Sequence, residues 1–399
     1  MGRLIPFALA LLPALAGCGA LASTSRASLP LYEAGRFAEA AGALKDLPTS
    51  GGKDRLLALY QRGMILHAAR RWEEANAALL EANDLAERIE LIGLGEQAGN
   101  LLVNENFSDY RGEDYERVLC HTLAALDFLA LGRLEDAQVE CRRMREVHDK
   151  IRRLRGSPDR LNAFALFLSA LCFELGGQAD DAFLDYEACR TAAPTFPPLE
   201  ERLRRLAYRT GRDAKGEEPP PLPPGTGEVV LLLECGLAPT KKSGGPLGIL
   251  PALNPRPTAA VGARLAADGN PLAPTTLLND VEDWAQRTLT ERELWLLAKR
   301  AAMLAAKEVA ARAVEKKHGK DAGNLTRLAL LALEEPDLRS WSALPRSFQA
   351  CVARLPAGSH DLEAVPVDAR GNPAGEPVRF PAVEVAEGKT VVLIARIVR

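Results

Sequence analysis

AFALFLSALCFELGGQADDAFLDYEACRTAAP, residues 163–194, holds two apolar stretches separated by a glycine pair. Six positions recur at helical spacing, three in each stretch: Leu166, Ala170, Phe173, Ala182, Tyr186 and Cys189. Gly177 permits a turn between the stretches, and Pro194 ends the second one. Because small residues let two helices approach while large ones fill the space beside them, this stretch predicts an antiparallel helix pair.

Related copies of this unit lie upstream. One begins near Leu56, another near Val118, and a partial copy occupies residues 31–44. The small residue that opens each second helix recurs at four positions: Ala40, Ala75, Ala137 and Ala182. The spacing resembles that of tetratricopeptide repeats, although the intervals are uneven. We therefore expect a stack of helix pairs, with an extra helix within residues 85–117 covering part of it.

Composition changes along the chain and divides it into segments. Helical patterns fill residues 29–210, a Pro-rich linker occupies 211–226, and short strand-like runs separated by turns fill 227–399. The predicted fold class is mainly α, α+β overall. It combines a TPR-like α-solenoid with a small antiparallel β-sandwich-like domain that carries an inserted long helix.

The inserted helix has its own start and stop signals. Thr290 and Glu293 form a capping-box pattern, and Gly319 follows a basic last turn. These bounds predict a helix about 40 Å long, at about 1.5 Å per residue.

The first residues resemble the leader of a bacterial lipoprotein. Arg3 precedes an apolar run that ends in Leu15-Ala16-Gly17-Cys18, the order of a lipobox. The resemblance implies a signal peptide over 1–17, a lipid on the Cys18 thiol and a tether over 18–28, with Gly19 favouring the outer membrane. The alternative is an ordinary signal peptide that contains a cysteine. The first interpretation predicts a lipid-anchored protein of the bacterial cell envelope, facing the periplasm.

Bulk composition and motifs exclude several function classes. The net charge of −3 lacks the basic footprint of nucleic-acid binding. The sequence has no GxSxG, HExxH, GxGxxG or phosphate-loop pattern and no metal-ligand spacing of Cys and His. We therefore expect no catalytic residues, no metal and no cofactor. Disulfides Cys172–Cys189 and Cys120–Cys141 are conceivable in an oxidising compartment, but core positions favour free, buried thiols.

The stretch DYRGEDYERVL, residues 109–119, is the most distinctive in the chain. Its acidic residues suit the start of a helix, which favours a capped helix entry over a ligand site. This stretch also resembles, together with residues 129–143, 229–242 and 337–360, uncharacterised bacterial lipoproteins that join tetratricopeptide repeats to a C-terminal β domain. The resemblance marks ten positions as family-like: Tyr110, Gly112, Glu113, Tyr115, Glu116, Glu234, Gly236, Pro239, Arg339 and Trp341.

Tetratricopeptide grooves often bind partner peptides along the first helix of each pair. The corresponding positions here are Tyr60, Met64, His67, Thr122, Leu126, Leu129, Phe167, Leu171 and Glu174. Because this lining is mostly apolar, it would either receive a hydrophobic helix from a partner or be filled by another part of the same chain. The sequence favours neither alternative over the other.

These features predict a non-catalytic scaffold or adaptor that binds unknown envelope proteins through its repeats and meets the membrane through its lipid. Two alternatives are an enzyme using Arg339, Trp341 and Glu234 in a C-terminal cleft, and a purely structural envelope protein. Basic clusters in residues 141–155 and 201–209 are either solvated helix faces or contacts to anionic lipid headgroups. The sequence leaves the oligomeric state unknown.

Overall fold

A computed structural model describes residues 27–44, 52–95, 109–155, 162–213, 222–245, 248, 250–332 and 336–399. Cys18 and the leader lie outside the described residues, as do residues 214–221 of the expected linker.

The helices of the described residues fall into two groups, one before residue 210 and one inserted between strands. They are α1 (27–33), α2 (Phe37–Gly42), α3 (Arg55–Ala68), α4 (Trp72–Gly95), α5 (Asp114–Ala130), α6 (Leu134–Arg155), α7 (Ala163–Leu175), α8 (Ala179–Ala192), α9 (Pro198–Arg209), α10 (Val281–His318) and α11 (Lys320–Ala332).

The strands follow the first group of helices. They are β1 (Thr226–Cys235), β2 (Thr240–Gly244), β3 (Leu250–Asn254), β4 (Gly262–Ala267), β5 (Asn270–Pro274), β6 (Thr276–Asp280), β7 (Ser347–Pro356), β8 (Gly358–Val367), β9 (Val378–Val385) and β10 (Thr390–Ile397). The described residues thus mix α and β structure.

Consecutive antiparallel pairs α3/α4, α5/α6 and α7/α8 form the helical part. The small residues predicted at their contacts, Ala40, Ala75, Ala137 and Ala182, are fully buried, which confirms that part of the pattern. Close approach is also visible at Gly63, where an added Cβ would lie 2.5 Å from a methyl group of Leu79. The helix pairs therefore meet along stripes of minimal side chains.

Two four-stranded sheets face each other in the C-terminal part. The first has the order β10-β1-β7-β6 and the second β5-β4-β8-β9, while β2 and β3 form a separate hairpin. The expectation of an antiparallel arrangement is wrong at one position, because β1 pairs in parallel with β10, from Glu228 opposite Thr390 to Cys235 opposite Ile397. A parallel partner so distant in sequence leaves no local signal in either strand.

Strand β1 is apolar on both faces because both faces are covered. Val229, Leu231 and Leu233 point into the cluster between the two sheets. Val230 and Leu232 belong to a second cluster, which extends through the helix pairs. The first sheet therefore lies between the second sheet and the helices, which explains the unbroken run VVLLL.

The long inserted helix begins ten residues earlier than expected. Asp280 caps α10, and its Oδ1 accepts hydrogen bonds from the backbone N–H groups of Glu282 and Asp283. Thr290 instead lies inside the helix, where its hydroxyl donates to the carbonyl of Gln286. The end at Gly319, with φ 91°, agrees with the prediction, so the 38-residue helix is about 57 Å long.

The extra helix expected within residues 85–117 is not present as a separate helix in its described part. Residues 85–95 continue α4 and do not begin a separate helix, and the rest of the expected extra helix up to residue 108 lies outside the described residues.

The prediction of free thiols is confirmed for the described cysteines, which are all buried and unbonded: Cys120, Cys141, Cys172, Cys189, Cys235 and Cys351. Of the helices described, none combines the length and apolarity needed to cross a membrane.

Candidate functional site

The first helices of the three pairs form one surface, which we call the first-helix face (α3, α5 and α7). It is covered by the C-terminal part of the chain. Tyr60 of α3 stacks on Trp341, with ring centroids 4.3 Å apart and planes 9° from parallel. Phe164 of α7 meets Phe348 of β7 at 4.9 Å. The face on which a tetratricopeptide groove would bind a peptide is therefore occupied by this chain's own residues.

Polar side chains bind the segment that lies on this face. Gln61 accepts a hydrogen bond from the backbone N–H of Ala343 at 3.0 Å and donates one to the Ser342 hydroxyl at 2.8 Å. Tyr32 of α1 donates to the carbonyl of Ala343 at 2.6 Å. These bonds satisfy backbone groups that burial would otherwise leave without water.

Glu116, near the start of α5, connects the helices to the same segment. Its Oε1 accepts a hydrogen bond from the backbone N–H of Trp341 at 2.7 Å. Its Oε2 accepts one from the Tyr110 hydroxyl at 2.5 Å and one from the backbone N–H of Glu113 at 2.8 Å. Because Glu113 and Glu116 also form a capping box, the interpretation of this stretch as a capped helix entry is confirmed.

The electrostatics of Glu116 favour its protonated form. Burial raises the pKa of Glu116, the nearby Glu113 raises it further, and Lys241 lowers it, with a net pKa of about 7. Lys241 lies 2.5 Å from Glu113 Oε1 and forms a second link between α5 and the C-terminal part. A carboxyl group at a domain contact therefore titrates near neutral pH.

A second cluster joins α3, α5 and β1. His67 Nδ1 lies 2.5 Å from Asp127 Oδ1, and Nε2 lies 3.0 Å from Glu234 Oε1 without hydrogen-bond geometry. All three side chains are at most 1% exposed. Among the described residues, Asp127 Oδ2 and both oxygens of Glu234 have no hydrogen-bond donor. One imidazole therefore lies between two buried carboxylates.

The charges of this cluster favour an imidazolium ion. Burial lowers the pKa of His67, but Glu234 and Asp127 outweigh this effect and raise it to about 10. Burial raises the pKa of Asp127 to about 6, although His67 opposes that change. A positive His67 thus partly neutralises carboxylates contributed by two parts of the chain. Since none of the three faces solvent, removal of His67 would leave buried carboxylates of both parts without a compensating charge.

Arg202 of α9 provides a third polar link. Its guanidinium donates hydrogen bonds to Glu174 of α7 and to Glu228 of β1. The Tyr186 hydroxyl donates to Glu174 at 2.8 Å. The last helix before the strands is therefore tied both to the preceding helix pair and to the first sheet.

The structure buries most positions predicted to line a groove. Tyr60, Met64, His67, Thr122, Leu126, Phe167 and Leu171 are buried, and Leu129 and Glu174 are half-buried. The sequence left two alternatives for this lining, a partner helix or another part of the same chain. In the structure, the same chain covers it. Binding of a partner at these positions stays a prediction that would require the C-terminal part to move.

Most of the family-like positions lie along this contact. Gly112, with φ 74°, brings the backbone beside the Tyr60 ring, and Tyr115 contacts Trp284 of α10. Gly236, with φ 72°, donates its N–H to the carbonyl of Ile397. Pro239 is buried nearby in the chain, after β1.

The cleft imagined for an enzyme would need Arg339, Trp341 and Glu234 to converge. Arg339 instead pairs with Asp337 and with Asp54, which precedes α3. Trp341 is buried against Tyr60, and Glu234 faces His67. Each of the three thus has its own separate contacts, and the burial of Trp341 lowers the support for a substrate cleft.

Sequence reasoning missed three buried polar residues. Asp127 and Arg396 each lie within an apolar stretch, and that isolation was the available signal. Arg202 lies in the charged run LEERLRRLAYR, which gave no such signal. Arg396 donates to the carbonyls of Glu234 and Gly236 and to the Tyr32 hydroxyl. Within the described ranges, no group of three or more His, Cys, Asp or Glu is arranged to hold a metal ion.

No protein-family description and no curated protein matches the chain. Among solved structures, it is similar to a tetratricopeptide repeat protein from Parabacteroides merdae ATCC 43184, at 17% identity over 49% of this chain and 75% of that chain. The TM-score is 0.23, which is too low to support an argument about fold or function.

Proposed function

We propose that this protein is a lipid-anchored, non-catalytic scaffold of the bacterial cell envelope, in which helix repeats and a β domain act as one body. The observation that carries this proposal is the occupied first-helix face. A face filled by the chain's own Trp341 and Phe348 is not open to a peptide, so partners would bind elsewhere on the repeats.

The outer helices offer such surfaces. Val139 of α6 is 41% exposed and Leu184 of α8 is 50% exposed, whereas Phe164 on the first-helix face is fully buried. The two exposed side chains are therefore accessible to a partner, and Phe164 is not. The scaffold would thus bind envelope proteins through its second helices.

Photo-crosslinking in intact cells tests whether partners bind the second helices and not the first-helix face. A photoreactive residue at position 139 or 184 should capture other proteins, and one at position 164, which meets Phe348, should form links only within the chain. Capture of another protein from position 164 would contradict the proposal, because it requires the C-terminal part to leave the first-helix face.

The anchor is tested separately. Palmitate labelling of cells should mark the wild-type protein and not the Cys18→Ser variant, which should also leave the membrane fraction. An unlabelled wild-type protein, or an unchanged membrane fraction of the variant, would contradict lipid anchoring.

A further inference from the structure

The hairpin of α10 and α11 is fixed at one end. Val281 and Ala285 at the start of α10 are buried, and Trp284 contacts the Tyr115 ring of α5 at 6.3 Å between centroids. The root of the hairpin therefore rests on the helix pairs. With 38 residues, α10 is about 57 Å long, which carries its far end well beyond this contact.

The two helices hold each other firmly near that far end. Arg327 of α11 pairs with Glu308 at 2.9 Å and with Glu315 at 2.7 Å on α10. Gly323 permits close packing, since an added Cβ would lie 2.5 Å from Cβ of Glu315. The hairpin can therefore present its outer side chains in a fixed arrangement.

Large apolar side chains are exposed on this hairpin. Val309 is 69% exposed, Leu325 70% and Leu328 66%, the highest exposures among the exposed large hydrophobic residues of the described ranges. At about 1.5 Å per residue, the two leucines lie about 9 Å and 14 Å along the helix from the turn at Gly319. Leu325 and Leu328 are three residues apart and share one face of α11.

The turn beside these residues is basic. Residues 316–321, which we call the hairpin tip, contain three lysines and one histidine against a single acidic residue, Asp321. All six residues are exposed. The whole chain has a net charge of −3, so positive charge is concentrated at this end of the hairpin.

Other basic clusters are engaged within the protein. Arg145 pairs with Asp185, Lys150 lies 2.9 Å from Glu90, and Arg202 is buried. These internal pairs weaken the interpretation that residues 141–155 and 201–209 meet lipid headgroups. The hairpin tip combines exposed positive charge with exposed leucines, which those clusters lack.

We propose that the α10–α11 hairpin docks on an anionic phospholipid surface. Lysines at the tip would lie at the headgroups, while Leu325 and Leu328 enter the boundary of the acyl chains. Positive charge selects an anionic surface over a neutral one. This contact goes beyond the proposed function, because it is a second membrane contact that does not require the lipid on Cys18.

Vesicle sedimentation tests the proposal on the mature chain from residue 19, which lacks both the apolar leader and Cys18. The protein should bind vesicles of phosphatidylcholine with 30% phosphatidylglycerol more tightly than vesicles of phosphatidylcholine alone, and added salt should weaken that binding. The triple variant Lys316→Gln, Lys317→Gln, Lys320→Gln should bind the anionic vesicles about a hundredfold less tightly. Leu325→Ser with Leu328→Ser should weaken binding at every salt concentration.

A matched control makes the same charge change elsewhere. Lys242→Gln, Arg370→Gln and Lys389→Gln alter three exposed basic residues of the C-terminal part and should leave vesicle binding nearly unchanged. Three results would each overturn the proposal. The parent chain could bind neutral and anionic vesicles equally, the triple lysine variant could bind as tightly as the parent, or the control variant could lose as much affinity as the triple lysine variant. Sedimentation velocity without vesicles tests whether the exposed leucines instead contact a second copy of this chain. If the parent chain self-associates, the leucine variant does not, and the parent chain binds no vesicles, the proposal is overturned.

Discussion

Replacing Glu116 by Gln should change how stability depends on pH. The native pKa of about 7 exceeds the ordinary value of 4.5, so the native state holds a proton that the unfolded state loses between these pH values. Stability from this group is therefore present below pH 4.5 and falls as pH rises towards 7. The shift corresponds to about 3 kcal/mol, at about 1.4 kcal/mol per pKa unit.

Gln resembles the protonated acid and cannot ionise. At pH 4.5 the variant should be less stable than wild type, since its NH₂ group replaces one oxygen that accepts hydrogen bonds. Between pH 4.5 and 8 the difference in unfolding free energy should shift in favour of the variant by up to about 3 kcal/mol. The assay is urea unfolding at a series of pH values, followed by tryptophan fluorescence.

Glu74→Gln provides the matched control, because Glu74 forms a surface pair with Arg71 and is half exposed. Its difference from wild type should vary little with pH. A pH-independent difference for Glu116→Gln would refute the argument that burial holds the Glu116 carboxyl near neutrality.

Three further changes have definite expected outcomes. His67→Gln should cost about 3–5 kcal/mol of unfolding free energy at pH 7, because it leaves two buried carboxylates unpaired. This loss should shrink as pH approaches 10, where wild-type His67 itself loses its proton. Urea unfolding of both proteins at pH 7 and at pH 10 measures the difference. Gly63→Ala should cost about 1–3 kcal/mol of unfolding free energy, because the added Cβ would overlap with Leu79. Gly42→Ala is the control, since an added Cβ there meets nothing within 4 Å and should not destabilise the protein. Thermal unfolding of both variants measures the difference. The six described thiols should react with a thiol reagent only after unfolding, and rapid reaction of the native Cys18→Ser chain would contradict their burial.

The helix pairs could be predicted because their signal is local. Ala75, Ala137 and Ala182 recur at the start of each second helix, and a close helix contact demands a small residue there. The turn glycine at 177 and the end of α10 at Gly319 follow from the same kind of short-range chemistry. Such features are visible in sequence because each depends on neighbours within a few residues.

Other features depended on contacts that sequence spacing does not encode. Asp280 and Thr290 can both cap a helix, and sequence spacing does not choose between them. In the structure Asp280 is the cap, and Trp284 in the turn after it packs on α5. The parallel pairing of β1 with β10 joins residues more than 150 positions apart. The His67 cluster likewise assembles from three distant elements, so His67 and Glu234 could be singled out but not brought together with Asp127.

The C-terminal part fills the first-helix face, and the stack of Tyr60 on Trp341 is the clearest contact between them. A double-mutant cycle with Tyr60→Leu and Trp341→Leu, measured by urea unfolding, tests it most directly. Contact between the rings predicts a coupling free energy of about 0.5–1.5 kcal/mol. Costs that add to within about 0.3 kcal/mol would place the two rings apart and contradict the account.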